Sequence, residues 1–126
     1  GLAAARSRAE IQRYLGLRIR TLAAQGRPPD AQASIAKLSA AWHLKRTGEL
    51  AVALQGAHGM LAGPDAPADG AWQQSFLGAP SIRIAGGSDE VQRNVIGERV
   101  LGLPAEPRVD KDVPFRSLTG APEGAS

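Results

Sequence analysis

Residues 81–104, SIRIAGGSDEVQRNVIGERVLGLP, encode both ends of a helix, and this restricts the fold more than any other feature of the chain. Gly86 and Gly87 supply a flexible turn, Ser88 follows as a hydroxyl able to cap a helix, and Asp89 and Glu90 place carboxylates at its positive N-terminal end. Val91, Val95, Ile96 and Val100 recur at helical spacing. Arg99 falls in the last turn, and Gly102 and Pro104 then stop the helix. The spacing predicts a helix over 88–101. A glycine pair at such a position has two uses: a tight turn between helices, which is the commoner one, or close approach of free backbone N–H groups to a phosphate.

The remaining chain reads as helices joined by Gly/Pro-rich breaks. Over 3–25, Ile11, Leu15, Ile19 and Leu22 share one face, while Arg6, Arg13, Arg20 and Arg27 step by seven along roughly the opposite one. Such a stripe is most often a solvated face, and no aromatic side chains interleave it to stack bases. Gly26, Arg27, Pro28 and Pro29 end this helix. Asp30 begins an Ala-rich second one over 30–54 with Ile35, Leu38 and Trp42 on its main face, and its alanines allow neighbours to approach from several sides, so it is expected to be central. Lys45 or Arg46 can pair with Glu49 at its surface. Gly56, Ala57, His58 and Gly59 break the pattern, residues 63–70 form a loop, and Trp72, Phe76 and Leu77 lie on a short helix ended by Gly78 and Pro80. Beyond 104, prolines and glycines argue against regular structure; Val113, Phe115 and Leu118 are expected to pin part of the tail and the last six or so residues to fray. No stretch alternates with period two, so the fold class is all-α. The eight residues Ile11, Leu15, Ile19, Ile35, Leu38, Trp42, Val95 and Ile96 are expected to be mostly buried.

Composition narrows the chemistry. At 126 residues with two Trp, one Tyr and two Phe, a single domain must build its core from Ala, Leu, Ile and Val. The absence of cysteine excludes disulfides and thiolate metal sites and fits a cytoplasmic setting. A net charge of +3 permits a nucleic-acid partner but does not require one. No apolar run is long enough to span a membrane, and no signal-peptide pattern opens the sequence. His43 and His58 have no partner at metal-ligand spacing, and neither a zinc-protease nor a nucleophile-elbow motif occurs.

The segment IAGGSDEVQRNVIGERVLGLP resembles the closing segment of the acyl-CoA dehydrogenase family, in the branch that reads I-A-G-G-[ST]-[DE]-E-[IV]-Q-R-N-[IV]-I-x-E-R-V-L-G-L-P. ASIAKL at 33–38 and GAWQQSFL at 70–77 resemble the same branch in the same order. The likeness extends over roughly residues 6–108. It implies an up-and-down helical bundle over 1–104, a Pro/Gly-rich tail over 105–126, FAD as cofactor, an acyl-CoA substrate, and subunit interfaces with identical or homologous chains rather than with nucleic acid or membrane. It further implies that Gly87 lies near the thioester and that Ser88 and Glu90 lie near the adenosine diphosphate part of the flavin. Gly56 and Gly59 match a G-G-x-G turn whose backbone approaches the flavin of a neighbouring subunit; Ala57 departs from its second glycine, and the glutamine usual three residues before the turn falls on Ala53.

The implied reaction removes the α-hydrogen of an acyl-CoA as a proton and the β-hydrogen as a hydride. In many members the base is a glutamate directly before the glycine of the turn. Gly86 stands at that position here, so no catalytic residue is assigned; other members carry the base on a helix that would precede Gly1. The R-x-x-F-G flavin motif is also missing from these residues. The resemblance thus implies the C-terminal domain of an acyl-CoA dehydrogenase, with a non-catalytic partner subunit as the alternative that Gly86, Ala53 and Ala57 favour. A basic nucleic-acid module, resting on the arginine stripe alone, is the third reading.

Overall fold

The computed structural model describes residues 1–105 together with Val113, Pro114 and Ser117. Among residues 1–105 there are four α-helices, α1 (Leu2–Ala24), α2 (Asp30–Leu54), α3 (Ala71–Ile84) and α4 (Asp89–Val95), the last continuing into a π-helical turn at Ile96–Val100. There is no strand among the described residues. The all-α class and the three long helical segments expected from spacing are present.

Helix α2 is the centre of the bundle: α1, α3 and α4 all pack on it. Pairings along its length give the directions. Gly1 sits against Leu50 and Gln12 donates to Ser39 at 2.6 Å, so α1 runs antiparallel to α2. Gly48 lies against the backbone of Phe76, and Lys37 reaches the carbonyls of Arg83 and Gly87, so α3 is antiparallel to α2 as well. Lys37, Ala41 and Gly48 fall on one stripe of α2 at helical spacing. The two small residues let the helices touch. A Cβ on Gly48 would lie 3.0 Å from Phe76 Cα, and Ala41 and Ala79 are fully buried at the seam.

The expectation of a well-buried apolar stripe is corrected. Ile11 is 57% exposed, and Leu15, Ile19, Ile35, Leu38, Trp42, Val95 and Ile96 are only half-buried. On α1 the face turned to α2 runs Ala5, Arg8, Gln12, Leu15, Ile19 and Leu22, a three-and-four alternation that places Ile11 one residue out of register. Polar side chains stand within this seam. The apolar spacing alone could not reveal it.

The third helix is also longer than expected. It passes through Pro80, which removes the N–H that would bond the Phe76 carbonyl; on the following turn Ser81 Oγ donates to the Gly78 carbonyl at 2.7 Å. Contacts with α2 lie on both sides of the proline: Ala79 is buried just before it, and Lys37 donates to the Arg83 carbonyl beyond it. Of the expected tail anchors, Val113 is 40% exposed, and Phe115, Leu118 and the last residues lie outside the described residues.

Surface charges follow the simpler reading. Glu10 pairs with both Arg6 and Arg13, which interrupts the arginine stripe with a carboxylate. Lys45 pairs with Glu49. His43 is half-buried, its Nδ1 3.4 Å from Thr47 Oγ1, whereas His58 is exposed. Among the described residues no cluster of His, Asp and Glu could hold a metal, and no helix is long and apolar enough to cross a membrane.

Candidate functional site

Four residues, Ala85, Gly86, Gly87 and Ser88, join α3 to α4. Both glycines have positive φ, +66° and +96°, a region that side-chain-bearing residues rarely adopt. Ser88 then caps α4 as its sequence position foretold: Oγ accepts from the Val91 N–H at 3.4 Å and its carbonyl from Gln92 N–H at 2.9 Å.

The carbonyls of the turn are occupied from within. Gln92 Nε2 donates to Gly86 O at 2.9 Å, and Lys37 Nζ donates to Gly87 O and, at 3.3 Å, to Arg83 O. In a planar trans peptide the C=O of one residue and the N–H of the next point in opposite directions. Fixing Gly86 O and Gly87 O therefore directs the N–H groups of Gly87 and Ser88 the other way. Among the described residues neither N–H has an acceptor. The turn thus keeps two unused donors while both glycine carbonyls are already bonded, the arrangement suited to a negatively charged or carbonyl oxygen.

Behind the turn lies the one buried charged residue among those described, Asp89, at 2% exposure. Its Oδ2 accepts from Arg83 Nε at 2.7 Å and from Nη2 at 2.5 Å, while Oδ1 is enclosed without a partner. The Arg83 guanidinium also lies 4.4 Å over the Trp42 ring. Glu90, next in sequence, is exposed, and hydrogen bonds from its own backbone N–H and then from the Ser88 hydroxyl hold its carboxyl below the ordinary value of 4.5. It stays ionised at neutral pH. A recess of about 230 Å³ opens beside Ser88, Asp89 and Glu90, walled by Pro80, Arg83 and Ile84.

Gly87, Ser88 and Glu90 are therefore brought together, and Gly56 and Gly59 are not part of the same cluster. Those two glycines belong to a single helical turn, Gly56–Met60, that follows the C-terminal end of α2. From Lys37 to Gly56 is 19 residues, about 28 Å along a helix, so the two turns sit at opposite ends of the bundle. Gly56 has φ +57° and open space around it. Gly59 is buried, and a Cβ there would meet Val52 O at 2.7 Å. Gln73 of α3 steadies this turn, donating to Gln55 Oε1 at 2.8 Å and to His58 O at 3.4 Å. Ala53 and Ala57 are exposed.

In the sequence Asp89 stands out only as a first-turn carboxylate, and no local motif marks Lys37, Arg83 or Gln92. A signal for Lys37 was present: a lysine one turn before Ala41 on the stripe that continues to Gly48 must direct its charge to something at the bundle's end.

Comparison with known proteins decides the family. The model of the acyl-CoA dehydrogenase C-terminal domain matches residues 1–101. The chain belongs to the acyl-CoA dehydrogenase family. Among curated proteins, the acyl-CoA dehydrogenase IpdE1 of Mycobacterium tuberculosis is 47% identical over 76 residues, 60% of this chain and 19% of that protein. The protein of the same name from Mycolicibacterium smegmatis is 39% identical over 100 residues, 76% of this chain and 25% of its own length. The chain thus spans a quarter or less of the curated relatives it matches. No solved structure matches it. Membership of this acyl-CoA dehydrogenase domain family agrees with the all-α bundle and with the closing segment at 84–104.

Proposed function

We propose that this chain is the C-terminal bundle of an FAD-dependent acyl-CoA dehydrogenase, residues 1–104 forming the bundle and 105–126 a tail. Its roles are to complete subunit interfaces and to supply one edge of the flavin and acyl-CoA site. The observation that carries the reading is the donor-rich turn at Gly87 and Ser88, placed within the segment that matches the family throughout. The two curated relatives are both named as acyl-CoA dehydrogenases, which favours an enzyme over a non-catalytic partner subunit.

The residues present fit part of the cofactor. The Gly87 and Ser88 N–H groups suit a thioester or phosphate oxygen, and the ionised Glu90 carboxylate suits a ribose hydroxyl rather than a phosphate, which it would repel. Bound FAD supplies hydride acceptance, taking the β-hydrogen of the acyl group while the α-hydrogen leaves as a proton. Within these residues Gly86 cannot take that proton, and Asp89 is committed to Arg83. This chain binds and orients; the base is contributed from elsewhere in the assembly. Gly56 and Gly59, at the far end of α2, reach a different flavin, that of a neighbouring subunit.

The test is anaerobic flavin reduction by acyl-CoA thioesters. With the 126-residue chain as the only protein and FAD added, no bleaching of the flavin band is expected, in the parent chain or in Gly86→Glu. The complete enzyme should reduce its flavin. Reduction by the isolated chain, or none by a complete flavin-loaded enzyme across fatty and steroid acyl-CoA thioesters, would overturn the proposal.

A further inference from the structure

We propose that Lys37, backed by the Arg83–Asp89 pair, is a positioning residue that sets which side of the Gly86–Ser88 turn faces the ligand; the inference deepens the flavoprotein reading and rests on it. Two successive glycines with positive φ have little steric preference, so the orientation of their peptide units must be imposed from outside the turn. The C-terminal flank contributes two restraints. Ser88 anchors the C-terminal side as the cap of α4, and Gln92 takes Gly86 O. For Gly87 O, Lys37 is the donor found among the described residues, and it comes from a helix 50 residues away in sequence.

That single contact governs a functional group of opposite polarity. If the peptide between Gly87 and Ser88 rotated by half a turn, its carbonyl would face outward where the Ser88 N–H now does. A donor would become an acceptor, and an oxygen of the ligand would meet repulsion in place of a hydrogen bond. Lys37 also holds the Arg83 carbonyl, which ties the end of α3 to the same ammonium group. The Arg83 side chain is turned back onto the Trp42 ring and the buried Asp89 carboxylate. The carboxylate offsets the Arg83 charge, which lies beside the carbonyl that Lys37 holds. Lys37 alone of the two takes a carbonyl of the turn, and the Ser88 N–H opposite it has no acceptor among the described residues.

The experiment compares the complete enzyme with its Lys37→Met and Lys37→Arg variants, read by FAD titration and by hydrogen exchange in ligand-free protein. Lys37→Met keeps the length of the side chain and removes the donor. It should raise the FAD dissociation constant about tenfold, and exchange of the peptide covering 84–92 should quicken by about as much while α1 and the melting temperature hold. Lys37→Arg, which keeps donors, should recover most of both. If Lys37→Met does not fold, Lys37→Gln, whose shorter amide retains a donor group, should raise the FAD dissociation constant more than Lys37→Arg does. An unchanged FAD dissociation constant in a folded Met or Gln variant overturns the positioning role alone. So does a uniform loss of protection through all helices, which would make Lys37 a packing residue. An unmodified enzyme that binds no FAD overturns the flavoprotein reading, and this inference with it.

Discussion

Glycine does three different jobs in this chain, and substitution separates them. At Gly59 the backbone is ordinary but the space is filled: a Cβ would stand 2.7 Å from the Val52 carbonyl oxygen and 3.0 Å from Val52 Cγ1. Gly59→Ala should therefore destabilise the domain by about 1–3 kcal/mol, read as a lower urea midpoint. At Gly16, inside α1, nothing lies within 4 Å of the added atom, and Gly16→Ala should stabilise by about 0.5–1 kcal/mol through helix propensity alone. An equal response at the two sites would contradict the packing argument. Gly87 is the third kind, since its φ of +96° is itself unfavourable for any side chain. The residues around it show how far reading extends at this scale. Ser88 as a cap was legible because capping is local, whereas the pairing of Asp89 with Arg83 and of Lys37 with Gly87 depends on which elements meet.

Among the elements, α2 has the most partners and the smallest side chains at its contacts. Gly48 lets α3 approach until Phe76 Cα would be 3.0 Å from a Cβ, and a backbone atom cannot move aside as a flexible side chain can. Gly48→Leu should separate α2 from α3 and cost about 2–3 kcal/mol, with a lower denaturation midpoint and loss of the near-ultraviolet signal of Trp42 and Trp72. The helices also carry a common response to acid. The carboxyl of Glu10 is held below 4.5 chiefly by the hydrogen bond from Arg13, that of Glu49 by Lys45, and that of Glu90 by its own N–H and Ser88. A carboxyl lowered in the folded state favours folding above its unfolded value and loses that contribution as pH falls through the folded one. Urea midpoints should accordingly be level from about pH 6 to 8 and decline below about pH 4.5; a midpoint that rose on acidification would contradict these assignments.

At the scale of the molecule, the bundle leaves large apolar side chains uncovered. Leu2 is 68% exposed, Leu54 64%, Leu77 74% and Ile84 71%, and the buried hydrophobic residues among those described are alanines. Leu2, Leu50, Leu54 and Trp72 line an apolar recess of about 380 Å³. A domain with so small a core gains from sharing its apolar faces. The isolated chain should associate at micromolar concentration, with a melting temperature that rises with protein concentration. Sedimentation as a compact monomer whose cooperative unfolding is independent of concentration would count against this. The same exposure explains why the eight residues expected to be buried are at best half-covered. Spacing identifies the face of a helix that seeks burial, and cannot tell whether one chain supplies the cover.

The sequence by itself determined the helices, the turn between α3 and α4, the cap at Ser88 and the family, because each of these resides in contiguous residues: apolar period, a glycine pair, a hydroxyl before two carboxylates, and an unbroken run of matching positions. It also marked α2 as central through its alanines. Only the tertiary structure decided that α3 continues through Pro80, that Gln12 rather than Ile11 faces α2, and that Gly56 and Gly86 occupy opposite ends of the bundle. It alone showed Lys37 holding the Gly87 carbonyl and Gln92 that of Gly86, with the N–H groups of Gly87 and Ser88 left without an acceptor among the described residues. A hydrogen bond across 50 residues depends on the packing of whole helices, which no local pattern records.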